Sequence, residues 1–234
     1  MNTRKACVSF AIVAALVLCL GGTVARAQDS KMDVFAGYSY STNNCFESCD
    51  LYDPGLHGYA LAFAYNLNHH IALEANFSGH NGTQTTYSYA PTSSDDGYKD
   101  QTNANVYTYV FGPRFSIPVG SFSLFAHVLV GAAHVNATDS ETCIPATGTG
   151  DVETCGTPVV DHYVEHGSGF ATKAGGGVNW NHKRWGIRIL EANFVHGEVN
   201  TSERYDSGEV YQYVSSGNGF ELSTGVTVYF GSMK

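Results

Sequence analysis

Apolar and polar positions alternate along this chain with a period of two, in runs separated by polar or glycine-rich breaks. The clearest run is Gly58 to Leu67, where Tyr59, Leu61, Phe63, Tyr65 and Leu67 alternate with Gly58, Ala60, Ala62, Ala64 and Asn66. In Ile71 to Ser78, the residues Ile71, Leu73, Ala75 and Phe77 oppose Ala72, Glu74, Asn76 and Ser78. Met32 to Ser41 sets Val34, Ala36, Tyr38 and Tyr40 against Asp33, Phe35, Gly37 and Ser39. Val106 to Phe115 places Tyr107, Tyr109, Phe111 and Phe115 opposite Thr108, Gly112 and Arg114. The same pattern recurs over Ser121 to His134 (Leu124, Ala126, Val128, Val130), Phe170 to Trp180, Trp185 to Phe194 (Ile187, Ile189) and Phe220 to Phe230 (Leu222, Val226, Val228). A period of two belongs to strands, whose side chains point alternately to the two faces of a sheet. Eight strands are expected.

The breaks alternate in length. Asn68 to His70, Pro118 to Gly120 and Asn181 to Arg184 are short turns, whereas roughly 42–57, 79–104, 135–168 and 197–218 are long and polar. Long structureless connections count against a compact soluble domain. They suit an up-and-down transmembrane barrel with short turns at one end and long loops at the other.

Which face carries the bulk separates lipid from water. The apolar faces hold Tyr59, Leu61, Phe63, Tyr65, Leu73, Phe77, Tyr109, Phe111, Val128, Ile187, Val226 and Val228, while the opposite faces hold Ala, Gly, Ser and scattered charges. Eight strands enclose only enough room for side chains to fill. The small faces therefore point inward, and a bulky apolar face turned outward on a closed sheet needs lipid. Tyr40, Tyr59, Tyr107, Trp180, Trp185 and Phe230 fall near strand ends, where aromatic girdles sit. A secreted soluble β-barrel or sandwich binding module, with these aromatics as its core, is the competing reading.

By the same parity Asp33, Glu74, Arg114, Lys173, Arg188 and Glu221 face the interior. Buried charges without partners are costly, so these six should form an ion-paired network, with Arg188 and Glu221 expected to be partners. Glu191 and Asn193 have the wrong parity to join them if Arg188 points in, and a β-bulge near Ile189-Leu190 would reconcile the two. A small-solute or ion pore is the alternative use of such an interior.

Composition narrows the field further. Charged residues are only 14% of the 234-residue chain, against roughly 25% in ordinary soluble domains. Their place is taken by 26 Gly, 15 Tyr and 13 Phe, which disfavours helices. Residues 1–27 read as a secretory signal: Arg4 and Lys5, an apolar stretch from Ala6 to Leu20, then Ala25-Arg26-Ala27 as a small-x-small cleavage pattern. That apolar stretch is shorter than the roughly 20 residues a spanning helix needs. Residues 28–234 are then a single barrel domain, with nine basic against 21 acidic residues and a formal charge of −12. So acidic a chain is a poor nucleic-acid binder.

Cys7 and Cys19 leave with the signal, and Cys45, Cys49, Cys143 and Cys155 remain. In an exported chain these read as disulfides, and proximity favours pairing within Cys45/Cys49 and within Cys143/Cys155. Neither pair has zinc-site CxxC spacing. His127, His134 and His196 are the candidates for acid–base chemistry, but no Ser/His/acid set can be assembled around them from spacing. Asp161-His162 with Glu165-His166 would suit a metal only on a helix. Gly175-Gly176-Gly177 lacks the Lys-Ser or Lys-Thr of a phosphate loop. No catalysis, cofactor or metal is expected.

Val34-Phe35-Ala36-Gly37-Tyr38-Ser39-Tyr40, Trp185-Gly186-Ile187-Arg188 and the closing Gly225 to Phe230 resemble the OmpA/OmpX-like family of small eight-stranded outer-membrane β-barrels. The resemblance runs over 31–230 and departs at the end, where Gly231-Ser232-Met233-Lys234 follow the aromatic Phe230. It is to the barrel alone and does not carry the tethering role of two-domain members. It implies an outer-membrane location, no cofactor, and a role in envelope integrity, adhesion or surface recognition. The expected partners are the bilayer and its lipids, with an extracellular ligand for the Tyr-, Ser- and Asn-rich loops. The barrel is expected to be a monomer.

Overall fold

The computed structural model describes residues 30–42, 55–89, 97–144, 160–205 and 208–232. Eight strands close on themselves: β1 (Met32–Thr42), β2 (Leu56–Asn66), β3 (Ile71–Tyr89), β4 (Gly97–Val119), β5 (Phe122–Ile144), β6 (Val160–His182), β7 (Trp185–Tyr205) and β8 (Val210–Phe230). Each pairs antiparallel with its neighbours in sequence, and β8 returns to β1 through Met32↔Phe230 and Gly37↔Gly225. Among the described residues no helix is long and apolar enough to cross a membrane. The expected signal over 1–27 lies outside the described residues, as do Cys45, Cys49 and Cys155.

The short turns close by local chemistry. Asn68 Oδ1 accepts hydrogen bonds from the backbone N–H groups of His70 and Ile71, both at 2.8 Å, which folds the β2–β3 turn. Gly120 supplies the left-handed residue of the β4–β5 turn at φ +60°. In the β6–β7 turn that place is taken by Lys183, at φ +50°.

Burial alternates along most of the runs where the sequence alternates. On β2, Ala60, Ala62 and Ala64 are buried while Leu61 and Phe63 are 44% and 46% exposed, so the large apolar side chains face outward. Phe111 on β4 and Val128 on β5 do the same. Phe77, Ile187 and Val226 lie on this outer face but are half-buried. Phe77 is covered by the rings of Tyr59, Tyr107 and Tyr109.

The wall is taller than the alternation predicts. Paired strand runs on through much of 79–104, 135–168 and 197–218, so β3 to β8 rise well beyond β1 and β2 at the end opposite the short turns. The reason is physical. Alternation appears only where the two faces of a strand meet different surroundings, whereas backbone pairing continues with Thr, Asn and Ser on both faces.

The interior is not uniformly polar either. Val106, Val110, Leu129, Ala133, Val135, Ala171 and Val199 form a buried apolar cluster inside the barrel, towards its tall end. Below it lie the charges.

Candidate functional site

The interior polar network is the chemical centre of the barrel. All six charged residues expected inside are buried there: Asp33 on β1, Glu74 on β3, Arg114 on β4, Lys173 on β6, Arg188 on β7 and Glu221 on β8. Strand parity also brings in groups that sequence reasoning did not place in the network, among them His80, His127, Asn76, Ser78, Asn179 and Ser223.

Three layers follow one another along the axis. At the short-turn end, Arg114 pairs with Asp33 and with Glu74 at 3.4 Å, and Asn66 Nδ2 donates to Asp33 Oδ1 at 3.0 Å. In the middle, His127 Nδ1 lies 3.1 Å from Glu74 Oε1 and its Nε2 lies 2.8 Å from Asn193 Oδ1. Asn193 in turn donates to Glu191 Oε1 at 2.8 Å, and Glu191 is ion-paired to Arg188. Both ring nitrogens of His127 thus face acceptor oxygens. In the third layer the Lys173 ammonium spends its donors on Asn76 (2.9 Å), Ser78 (3.1 Å) and Glu221 (3.0 Å). His80 Nε2 sits 2.9 Å from Ser39 Oγ and 4.0 Å from Glu221 Oε2.

The expected Arg188–Glu221 pair is replaced by two others, Arg188–Glu191 and Lys173–Glu221. The cause is a register shift between Arg188 and Glu191 on β7, which leaves Ile189 and Leu190 both facing outward. The extra residue turns Glu191 and Asn193 to the interior beside Arg188.

Two phenylalanines hold the Arg188 guanidinium. Its centre lies 3.9 Å from the Phe35 ring and 4.5 Å from that of Phe125. One of its terminal nitrogens has no hydrogen-bond partner, and the ring faces supply the attraction an acceptor would have given. Glycine makes the room. A Cβ on Gly37 would stand 2.6 Å from Phe35, and one on Gly177 would stand 2.9 Å from Phe125.

A cavity of about 50 Å³ at the short-turn mouth is bordered by Ser30, Asp33, Asn66, Arg114, Asn179 and Tyr229. A second of about 10 Å³ lies beside His80, Thr108 and Glu221. Each is the size of a few water molecules at most. Around them, ion pairs and aromatic rings occupy the section.

The three candidate histidines do not share a site. His127 is inside, whereas His134 Nδ1 meets Ser168 Oγ at 2.6 Å and His196 Nδ1 meets Asn218 Oδ1 at 2.9 Å on the outer face. His166 is bonded to Asn136 at 2.5 Å. Among the described residues no three His, Cys, Asp or Glu side chains are grouped to hold a metal. Cys143 is buried near the tall end of β5 and is disulfide-bonded.

No protein-family model matches the chain, and no curated protein matches it. Solved structures of similar shape include Ail, the attachment invasion locus protein of Yersinia pestis, at 17% identity and TM-score 0.43, covering 85% of this chain and 99% of that one. Neisserial surface protein A follows at 12% identity and TM-score 0.34, covering 86% and 98%. Acinetobacter baumannii CarO2 stands at 10% identity and TM-score 0.36, covering 85% and 98%. At these scores the likeness adds nothing to the argument, and it is the ring of strand pairings from β1 round to β8 that makes this chain an eight-stranded antiparallel up-and-down β-barrel.

Proposed function

We propose that the chain is an outer-membrane β-barrel with a structural or surface-recognition role, carried by its tall end and not by catalysis. One observation carries the reading: the wall is inverted. Phe63, Phe111, Val128 and their neighbours face outward around a closed sheet, and the interior holds charges, amides and small residues. In water such a surface would be a large exposed apolar patch, which soluble monomers avoid. In a bilayer it is the expected band.

The residues offered as lipid-facing are Tyr59, Leu61, Phe63, Tyr65, Leu73, Phe77, Tyr109, Phe111, Val128, Ile187, Val226 and Val228. On this reading residues 1–27 are cleaved on export near Ala27, the short turns lie on the periplasmic side and the tall end outside. Cys45 with Cys49 and Cys143 with Cys155 staple the outer loops. The folded barrel is a monomer that meets bilayer lipids along its wall and an extracellular ligand at its loops.

The test is electrophoretic mobility with and without heating, together with detergent dependence. A folded membrane barrel migrates differently unheated and needs detergent, whereas a soluble barrel would stay monodisperse without it and sink the proposal. Planar-bilayer recording separates the structural role from a pore. Stable single-channel steps would overturn the filled-interior reading.

A further inference from the structure

We propose that the β6–β7 turn is a binding site for the phosphate of an anionic lipid headgroup, in the leaflet facing the short turns. The inference rests on the membrane reading above and adds a ligand class to one hairpin. Trp180, His182 and Trp185 share the outer face of that hairpin in mutual contact, with ring centroids 5.3–5.9 Å apart. They are the only outward aromatic cluster built from tryptophan, since the chain has just two. Amphipathic rings of this kind seat at the level of lipid headgroups.

In the turn itself, between His182 and Trp185 in sequence, stand the cations Lys183 and Arg184. The turn is held on both sides, because Asn181 N–H donates to the Ser121 carbonyl at 2.7 Å and Tyr229 N–H donates to the Arg184 carbonyl at 2.9 Å. Lys183 itself is in the left-handed region, the sole non-glycine residue so placed among those described, where the comparable β4–β5 turn uses Gly120. A cation is thus kept where glycine would be relaxed.

The surrounding charge agrees. Among the described residues of the short-turn rim, Lys31, Lys183 and Arg184 are basic, and the carboxylate at that mouth, Asp33, is buried and paired with Arg114. The far ends of the strands are acidic on balance, with Asp100, Asp139, Glu141, Glu165, Glu198 and Glu209 against Lys99 and Arg204 among the described residues. Two adjacent cations on a backbone-anchored turn, flanked by interfacial aromatics and with the nearby Asp33 already paired inside, suit a phosphate diester at the membrane surface.

Both tryptophans report on the site, so fluorescence tests it. The full barrel is reconstituted into phosphatidylcholine vesicles containing either brominated phosphatidylglycerol or brominated phosphatidylcholine, and quenching gives their relative association. The anionic lipid should associate more strongly, by about fivefold for each cation engaged. Lys183→Gly with Arg184→Gln should bring the ratio to near one while quenching by the neutral lipid persists. The glycine relaxes the turn, so folding is kept. Lys31→Gln, on β1's leading edge beyond β8, should leave the preference intact. A ratio near one in the unmodified barrel, a ratio unchanged in the double variant, or an equal loss in Lys31→Gln would each overturn the site. Inorganic phosphate, against chloride of matched ionic strength, should not relieve the quenching. If it did, the site would belong to free phosphate and the lipid proposal would fall. Absence of quenching by either lipid would overturn the membrane reading itself, and the site with it.

Discussion

Arg188 and Glu191 are three residues apart on β7, a spacing that puts side chains on opposite faces of a regular strand, yet they form an ion pair inside the barrel. The bulge at Ile189 and Leu190 makes this possible by sending two consecutive side chains outward. It costs one irregularity in the ladder and brings a carboxylate to a guanidinium that is also held by Asn179 and two aromatic rings.

The pair has a measurable signature. Arg188→Leu or Glu191→Leu alone should cost about 3–5 kcal/mol, because each removes a buried charge's ion-pair partner, and the double variant should cost less than their sum. The cycle between Arg188 and Glu221 should be closer to additive, since Glu221 belongs to Lys173. Denaturant titrations of refolding in detergent read both cycles, and strong coupling confined to the second would reverse the assignment.

The direction of the wall can be checked one residue at a time. Phe63→Arg, on the outer face, should destabilise the membrane-inserted barrel by about 2–4 kcal/mol. Ala62→Ser, on the inner face, should be nearly silent in the same titration. The opposite ranking would mean that the apolar face is inside.

Gly177 is predicted to be intolerant for a packing reason. A methyl group there meets the Leu190 carbonyl oxygen at 2.4 Å as well as the Phe125 ring at 2.9 Å, so Gly177→Ala should lose about 1–3 kcal/mol, part of it through displacement of Phe125 from Arg188. Phe125→Leu in the same background should recover part of that loss. Full additivity of the two changes would show that the ring is not what resists the methyl group.

Reduction of the disulfides should loosen the outer loops and spare the wall. The loop between Cys143 and Cys155 is about a dozen residues, for which chain entropy gives roughly 3 kcal/mol of constraint. Limited proteolysis with and without reductant should show new cuts in the loops and an intact barrel fragment. Mass mapping of unreduced peptides reads the connectivity, expected as Cys143–Cys155. A Cys143–Cys45 link would instead join two loops across the barrel mouth.

The strand count, the short turns and the inversion of the wall are all written in local alternation, because a strand crossing from a packed interior to an apolar exterior must change character at every residue. Alanine at 60, 62 and 64 against Leu61 and Phe63 is enough to say which side is crowded. The same alternation placed Asp33, Glu74, Arg114, Lys173, Arg188 and Glu221 on the inner face, since parity is a local property. It could not say who meets whom. Partners across the lumen, such as Lys173 on β6 with Glu221 on β8 and His127 on β5 with Glu74 on β3, depend on register and stagger summed around eight strands. Nor could it give the height of the wall, because polar strands in polar surroundings pair their backbones without any alternation to betray them. The Arg188–Glu191 pair, by contrast, is made within β7 by the bulge that the parity of Glu191 and Asn193 called for. The tertiary structure alone decided the ion pairs between strands, the apolar cluster above them and the extension of β3 to β8, because these depend on how the strands pair and close and not on any one strand.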